Sequence, residues 1–174
     1  PIPVADVALM AQPVSVPKPS IYWGDEIIWN TKVNAHSNVM DQKGRLWNTA
    51  RIRRPDQNPA FCREGSAHPS AKLFPLKSSG RQYSVYDPAA KTWMLVDTCF
   101  STFHLNFAHD TDNTIWAGSG GTVGWVNTRV LDATGDQQQA QGWAPLVLDT
   151  NGNGRQDAWV EPNLPVDPAK DKRI

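Results

Sequence analysis

The segment Asp149-Thr-Asn151-Gly-Asn153-Gly154-Arg155-Gln-Asp157 sets oxygen-bearing side chains at alternate positions around two glycines. A hard cation such as Ca2+ takes six to eight oxygen ligands at about 2.3–2.6 Å, and a short loop delivers them only if it turns sharply. Asp149, Asn151 and Asn153 would ligate through their side chains, Arg155 through its backbone carbonyl, and Asp157 directly or through water. Two neutral Asn ligands lower the charge of the site, so weak, extracellular-type affinity and a structural role are expected. The plain alternative is an Asn-Gly-rich β-turn with no metal.

A second candidate is a phrase that occurs twice. His36-Ser-Asn38-Val-Met-Asp41-Gln-Lys-Gly44-Arg-Leu-Trp47 is answered by His104-Leu-Asn106-Phe-Ala-His-Asp110-Thr-Asp-Asn113-Thr-Ile-Trp116, with one extra residue before its Trp. Both run His-x-Asn, two apolar residues, an Asp-containing turn, then an apolar residue and Trp. Repetition with this grammar marks an array of small β-units. It sets His36 and His104 in equivalent places and makes Trp47 and Trp116 matching anchors. Two imidazoles facing one channel would suit metal ligation or general-base work near neutral pH. Otherwise each His hydrogen-bonds a neighbouring unit and holds the repeat together.

Weaker candidates surround these. His68, in Gly65-Ser-Ala-His68-Pro69-Ser70-Ala-Lys72, sits among Ser and Lys but without a Gly-x-Ser-x-Gly elbow. His109 beside Asp110 reads as solvated. Arg51, Arg53 and Arg54 form a short cationic run without the aromatic ladder that single-stranded nucleic acid requires. Cys62 and Cys99 lie outside any CxxC or CxxCH context, so they read as one disulfide in an exported protein or as two buried thiols.

The elements that must carry these residues are strands. No segment shows a long i, i+3, i+4 apolar stripe with caps, so little helix is expected. Asn38–Met40 reads as an inner strand, 41–44 as a turn and 45–53 as a second strand. A hairpin over 81–96 turns at Asp87-Pro88-Ala-Ala. Further strands fall at 105–107, 114–116, 122–126 and 143–148, with a polar loop from Asp132 to Gln139. The expected fold is all-β: about two four-stranded antiparallel blades of a larger β-propeller. The expected boundaries are a Pro-rich arm and entry strand over 1–30, a first blade over 31–103, and a second blade over 104–174. The first blade carries a long insertion, 54–79, of a length that is often ligand-facing. The second carries the calcium-type loop 149–157 and a C-terminal tail. Closed propellers need four to eight blades, so further blades or subunits are expected to complete this one.

Asp41-Gln-Lys-Gly44-Arg-Leu-Trp47, and Asp87-Pro88 after Tyr83-Ser-Val-Tyr86, resemble the blades of bacterial propellers related to streptogramin (virginiamycin B) lyase. In that group a strand reading DxxGxVW precedes one ending in YDP. The resemblance covers about residues 36–130. It implies a channel-side His and a divalent metal acting in elimination, which would fall to His36 and His104. The loop 149–157 resembles those of EF-hands and dockerins over its first nine positions. It departs at position twelve, where the closing Glu is replaced by Val160; Glu161, one residue late, is the candidate ligand to take its place.

Composition bounds what remains. The 174 residues carry 17 Lys and Arg against 17 Asp and Glu, so neither a nucleic-acid tract nor an anionic membrane surface is implied. No apolar run approaches the roughly 20 residues needed to span a bilayer. Eight Trp among abundant Gly, Pro, Asn and Asp fit a β-rich core or, alternatively, a stacking platform for sugars or bases. Two functions follow: a periplasmic or secreted lyase-like enzyme acting on a small molecule through a second divalent metal, or a non-catalytic binding or assembly subunit with structural calcium.

Overall fold

The computed structural model describes residues 35–155 and 157–174. The arm and entry strand expected over 1–30 lie outside the described residues. Two four-stranded antiparallel sheets dominate, each a simple meander. The first joins β1 (Asn38–Met40), β2 (Leu46–Ala50), β3 (Gln82–Asp87) and β4 (Thr92–Val96). The second joins β5 (His104–Phe107), β6 (Thr114–Ser119), β7 (Thr122–Asn127) and β8 (Gln141–Pro145). The leading strands β1 and β5 touch. A third sheet, absent from the sequence reading, is built from β9 (Val147–Leu148), β10 (Trp159–Val160) and β11 (Asp171–Arg173) in the order β10-β11-β9. The strand expected over 143–148 is therefore split at Leu146 between two sheets. No sheet closes on itself among the described residues.

Side-chain alternation explains the packing. Val39, Trp47, Tyr83, Val85, Met94 and Val96 lie on one face of the first sheet. They share a core with Leu105, Phe107, Ile115, Ala117, Val126 and Trp143 of the second. The opposite face of the first sheet carries Ala50, Trp93 and Leu95 in a separate small cluster with Ile52. Phe100, in the connection between the sheets, presses on β7 where only hydrogen fits: a Cβ at Gly124 would lie 2.1 Å from its ring.

The turns are built as their residues require. Asp41 Oδ1 accepts from the backbone N–H groups of Lys43 and Arg45, and Gly44 takes a φ of 76°. Asp110 Oδ1 likewise accepts from Thr114 N, and Asn113 adopts a φ of 50°. Asp87 Oδ1 caps the β3–β4 turn by accepting from Ala89 and Ala90.

Helix is confined to short pieces: α1 (Pro69–Leu73), α2 (Thr128–Thr134), α3 (Gln137–Ala140) and a 3-10 turn at Ala60–Cys62. The polar stretch expected as a loop holds the end of α2 and all but the last residue of α3. Asn127 caps α2 at its start, Gly135 at φ 68° ends it, and Asp136 accepts from Gln138 and Gln139 to open α3.

Candidate functional site

The structure brings His36 and His104 together. Asn38 pairs with Asn48 and Asn106 with Trp116, which gives β1 and β5 equivalent registers. Each His stands two residues ahead of its Asn. The His36 ring stacks on Phe103, with centroids 3.9 Å apart, and meets His104 edge-on at 5.4 Å. Phe103 also lies edge-on to His104 at 4.8 Å. All three are exposed, as are Asn38 and Asn106. The cluster therefore offers two accessible imidazoles on a rigid aromatic base, fit for hydrogen bonding or for two ligands of a borderline metal. It carries no acidic partner: among the described residues no three His, Cys, Asp or Glu side chains converge as a metal-holding group.

The matching of Trp47 with Trp116 is overturned. Register places Trp47 opposite Val39, and the corresponding residue opposite Phe107 is Ile115. The two phrases align in space without a gap, so the extra residue before Trp116 shifts it by one. A shift of one along a strand exchanges faces. Trp47 is fully buried, whereas Trp116 is 40% exposed on the outer face, packed beside Trp125 with centroids 5.3 Å apart.

The phrase around Trp47 has a structural use. Asp41 Oδ2 accepts from the Trp47 indole N–H at 3.0 Å and from Arg45 Nε at 2.7 Å. Arg45 then forks onto Asp132 of α2 at 2.6 and 3.0 Å, joined there by Lys43 at 2.8 Å. Burial opposes ionisation of Asp41. The Trp47 and Arg45 donors outweigh it and hold the carboxyl below its ordinary value. Asp132 is held low against its own burial by Arg45 and Lys43. This chain of charges ties the first turn of one sheet to the helix between β7 and β8 of the other.

The insertion over 54–79 is largely exposed and is anchored to the core by a few buried residues, Asn58, Cys62, His68, Ser70, Ala71 and Ser79. Cys62 and Cys99 are joined by a disulfide with Cα atoms 5.3 Å apart. His68 is buried and stacked on Trp143 at 4.7 Å. Its Nδ1 accepts from Ser70 N, and its Nε2 lies within 3.1–3.2 Å of two carbonyls, Gln138 and Gln141, which makes Nε2 the protonated nitrogen. Such a ring is a strut. Arg53 is equally committed: its guanidinium meets Asp97, Asn58, Ser79 and the Thr98 carbonyl. The side chains of Gln137 and Gln141, which sequence reasoning passed over, grip the inter-sheet connection through the backbone of Leu95, Asp97 and Cys99.

In the loop 149–157, the Asp149 carboxylate accepts from the backbone N–H groups of Gly152, Asn153 and Gly154. Asn151 Oδ1 accepts from Asn153 N, and Asn153 Oδ1 from Arg155 N. The amides of Asn151 and Asn153 both donate to Asp157 Oδ2 and hold its carboxyl below the ordinary range. Glu161 is not brought to this loop; it pairs with Arg173 at 3.0 Å and accepts from the Trp159 indole at 3.3 Å. No helix among the described residues is long and apolar enough to cross a membrane. Comparison with protein-family models, with curated proteins and with solved structures finds no match for the chain.

Proposed function

We propose that this chain supplies two neighbouring blades of an exported bacterial β-propeller whose role is binding or assembly. The observation that carries the reading is the contact of β1 with β5: equivalent leading strands of two separate sheets meet, with the His36 and His104 rings in edge-on contact beside them. Two meandering four-stranded sheets packed face to face are the unit from which propellers are built, and four to eight such sheets make a ring. The outer faces support this. One carries Trp116 and Trp125, the other Tyr86, Trp93 and Leu95, and apolar faces of this kind suit burial by further blades. The disulfide supports export to the periplasm or the medium, where thiols oxidise.

A second reading is favoured by the imidazole pair itself. The cluster would bind a divalent metal with the remaining ligands from water or substrate, and act as a lyase. The two are separated by metal analysis of the His36→Ala, His104→Ala protein. Loss of a bound transition metal or Mg2+ supports the lyase; unchanged metal content and unchanged assembly support the binding module. Light scattering tests the blade reading directly. The isolated chain should associate in multiples that bring four to eight blades together, and Trp116→Glu should reduce that association. A chain that stays monomeric at every concentration, with Trp116→Glu behaving identically, would overturn it.

A further inference from the structure

The loop 149–157 contains two Asn-Gly steps, Asn151-Gly152 and Asn153-Gly154. At such a step an asparagine can lose its amide to its own backbone. The glycine nitrogen gives up its proton and bonds to the asparagine Cγ. The Cγ–Nδ2 bond breaks, and Nδ2 leaves as ammonia with a proton in exchange. Water then opens the cyclic imide at either carbonyl, leaving aspartate or its β-linked isomer. Glycine permits this because no Cβ hinders the approach and its backbone turns freely. Asn153 and both glycines are exposed, and Asn151 is half-buried. Every reacting group is held in the structure. Asp149 Oδ1 accepts from Gly152 N at 2.6 Å, and its Oδ2 from Gly154 N at 2.7 Å. The two leaving amides donate to Asp157 Oδ2. The two side-chain carbonyls accept from Asn153 N at 3.1 Å and from Arg155 N at 2.8 Å.

We propose that Asn151 and Asn153 form a self-modification site latched by Asp149. Taking the proton from Gly152 or Gly154 N would set a second negative charge within hydrogen-bond distance of the Asp149 carboxylate, which Coulomb repulsion opposes. One side chain therefore restrains both nucleophiles. The carbonyls are otherwise ready, since backbone donors on their oxygens stabilise a developing oxyanion. Release comes with opening of the loop, whose latch bonds are solvent-exposed. The product then changes the loop. Each conversion replaces an amide that donates to Asp157 by a carboxylate that repels it. Asp157 N donates at 2.7 Å to Asp171 Oδ2, and Asp171 is a β11 residue only 1% exposed. Losing that anchor loosens β11, the strand that holds β9 and β10 together. The loop is a slow, irreversible switch acting on the third sheet, and it does not rest on the blade reading.

The test incubates the full chain at neutral pH and follows it by peptide mapping, which separates asparagine from aspartate and isoaspartate. Conversion should appear at 151 and 153, about tenfold or more slower in the folded protein than in urea. Asp149→Asn, neutral at the latch, should convert at those positions about tenfold faster than wild type. Asp157→Asn keeps the latch and should stay close to the wild-type rate. Equal acceleration in both variants would assign the restraint to the integrity of the loop and overturn the role of Asp149. Should Asp149→Asn fail to fold, hydrogen exchange of Gly152 and Gly154 in wild type decides the matter, because base-catalysed exchange removes the same proton. Both amides should exchange about tenfold or more slower than in the unfolded chain, and unprotected amides overturn the latch. Asn151→Asp with Asn153→Asp imitates the product and should lose exchange protection in β11 while β6 and β7 keep theirs. Folded wild type converting as fast as in urea, Asp149→Asn converting at the wild-type rate, or a product mimic with unchanged β11 protection overturns the proposal.

Discussion

Asp41→Asn isolates the chemistry of the repeated phrase. The Asp41 side chain is fully enclosed and accepts four hydrogen bonds, from Lys43 N, Arg45 N, Arg45 Nε and the Trp47 indole. An asparagine keeps one oxygen for the two backbone donors. It then turns an NH2 group toward Arg45 and Trp47, so that donors face a donor. A hydrogen bond to a charged group contributes about 1.5–3 kcal/mol, and a stranded buried donor costs about 1–3 kcal/mol. These overlap because both donors share one oxygen, and Arg45 retains Asp132, so the expected loss is about 3 kcal/mol. For a chain of this size that lowers the melting temperature by about 6–12 °C.

The pH dependence gives a second readout of the same variant. The folded Asp41 carboxyl titrates below its ordinary value of 3.8. Its stabilisation is therefore complete above the unfolded value and is lost as pH falls through the lower folded one. The gap between the urea midpoints of wild type and Asp41→Asn, full at neutral pH, should close as pH falls below 3.8 through the folded Asp41 value, since acid removes from wild type what the substitution has already removed. A variant melting within about 2 °C of wild type at pH 7, or a gap that persists undiminished in acid, would refute the reasoning.

Two further sets of substitutions test the packing around the connection between the sheets. Cys62→Ser with Cys99→Ser opens a bridge spanning a sequence separation of 37, for which chain entropy alone predicts a loss of about 3–4 kcal/mol by denaturant titration; two free thiols in the non-reduced native protein would contradict the bridge. Gly124→Ala drives a Cβ into the buried Phe100 ring and should cost about 1–3 kcal/mol or more, whereas Gly44→Ala meets open space and carries only the strain of its positive φ, about 1–2 kcal/mol. A Gly124→Ala protein that melts with wild type would show that Phe100 yields.

Much of the sheet structure was legible because turns and alternation are local. Asp41 with Gly44, and Asp87 before Pro88, announce hairpins through bonds that reach only two to four residues. The helices α2 and α3 were not legible, since four to seven residues are too few to display an apolar stripe. Their signals were the caps Asn127 and Asp136 and the stop at Gly135: the last two fell in the stretch expected as a polar loop, and Asn127 was passed over. The third sheet escaped for a similar reason: β9 and β10 have two residues each and exist only because β11, more than ten positions away, pairs with both.

By itself, the order of residues determined that this chain is β-rich, that His36 and His104 head equivalent strands, and that an oxygen-lined loop follows Asp149. Those are consequences of short-range bonding and of repetition, which a linear reading can count. Only the tertiary structure decided which face each residue occupies. One added residue before Trp116 turns an expected core anchor outward, while Asp171, remote in sequence, arrives buried beside the loop with an oxygen unmatched. Register and long-range apposition depend on what the neighbouring strand buries, and a chain read in order does not contain its neighbours.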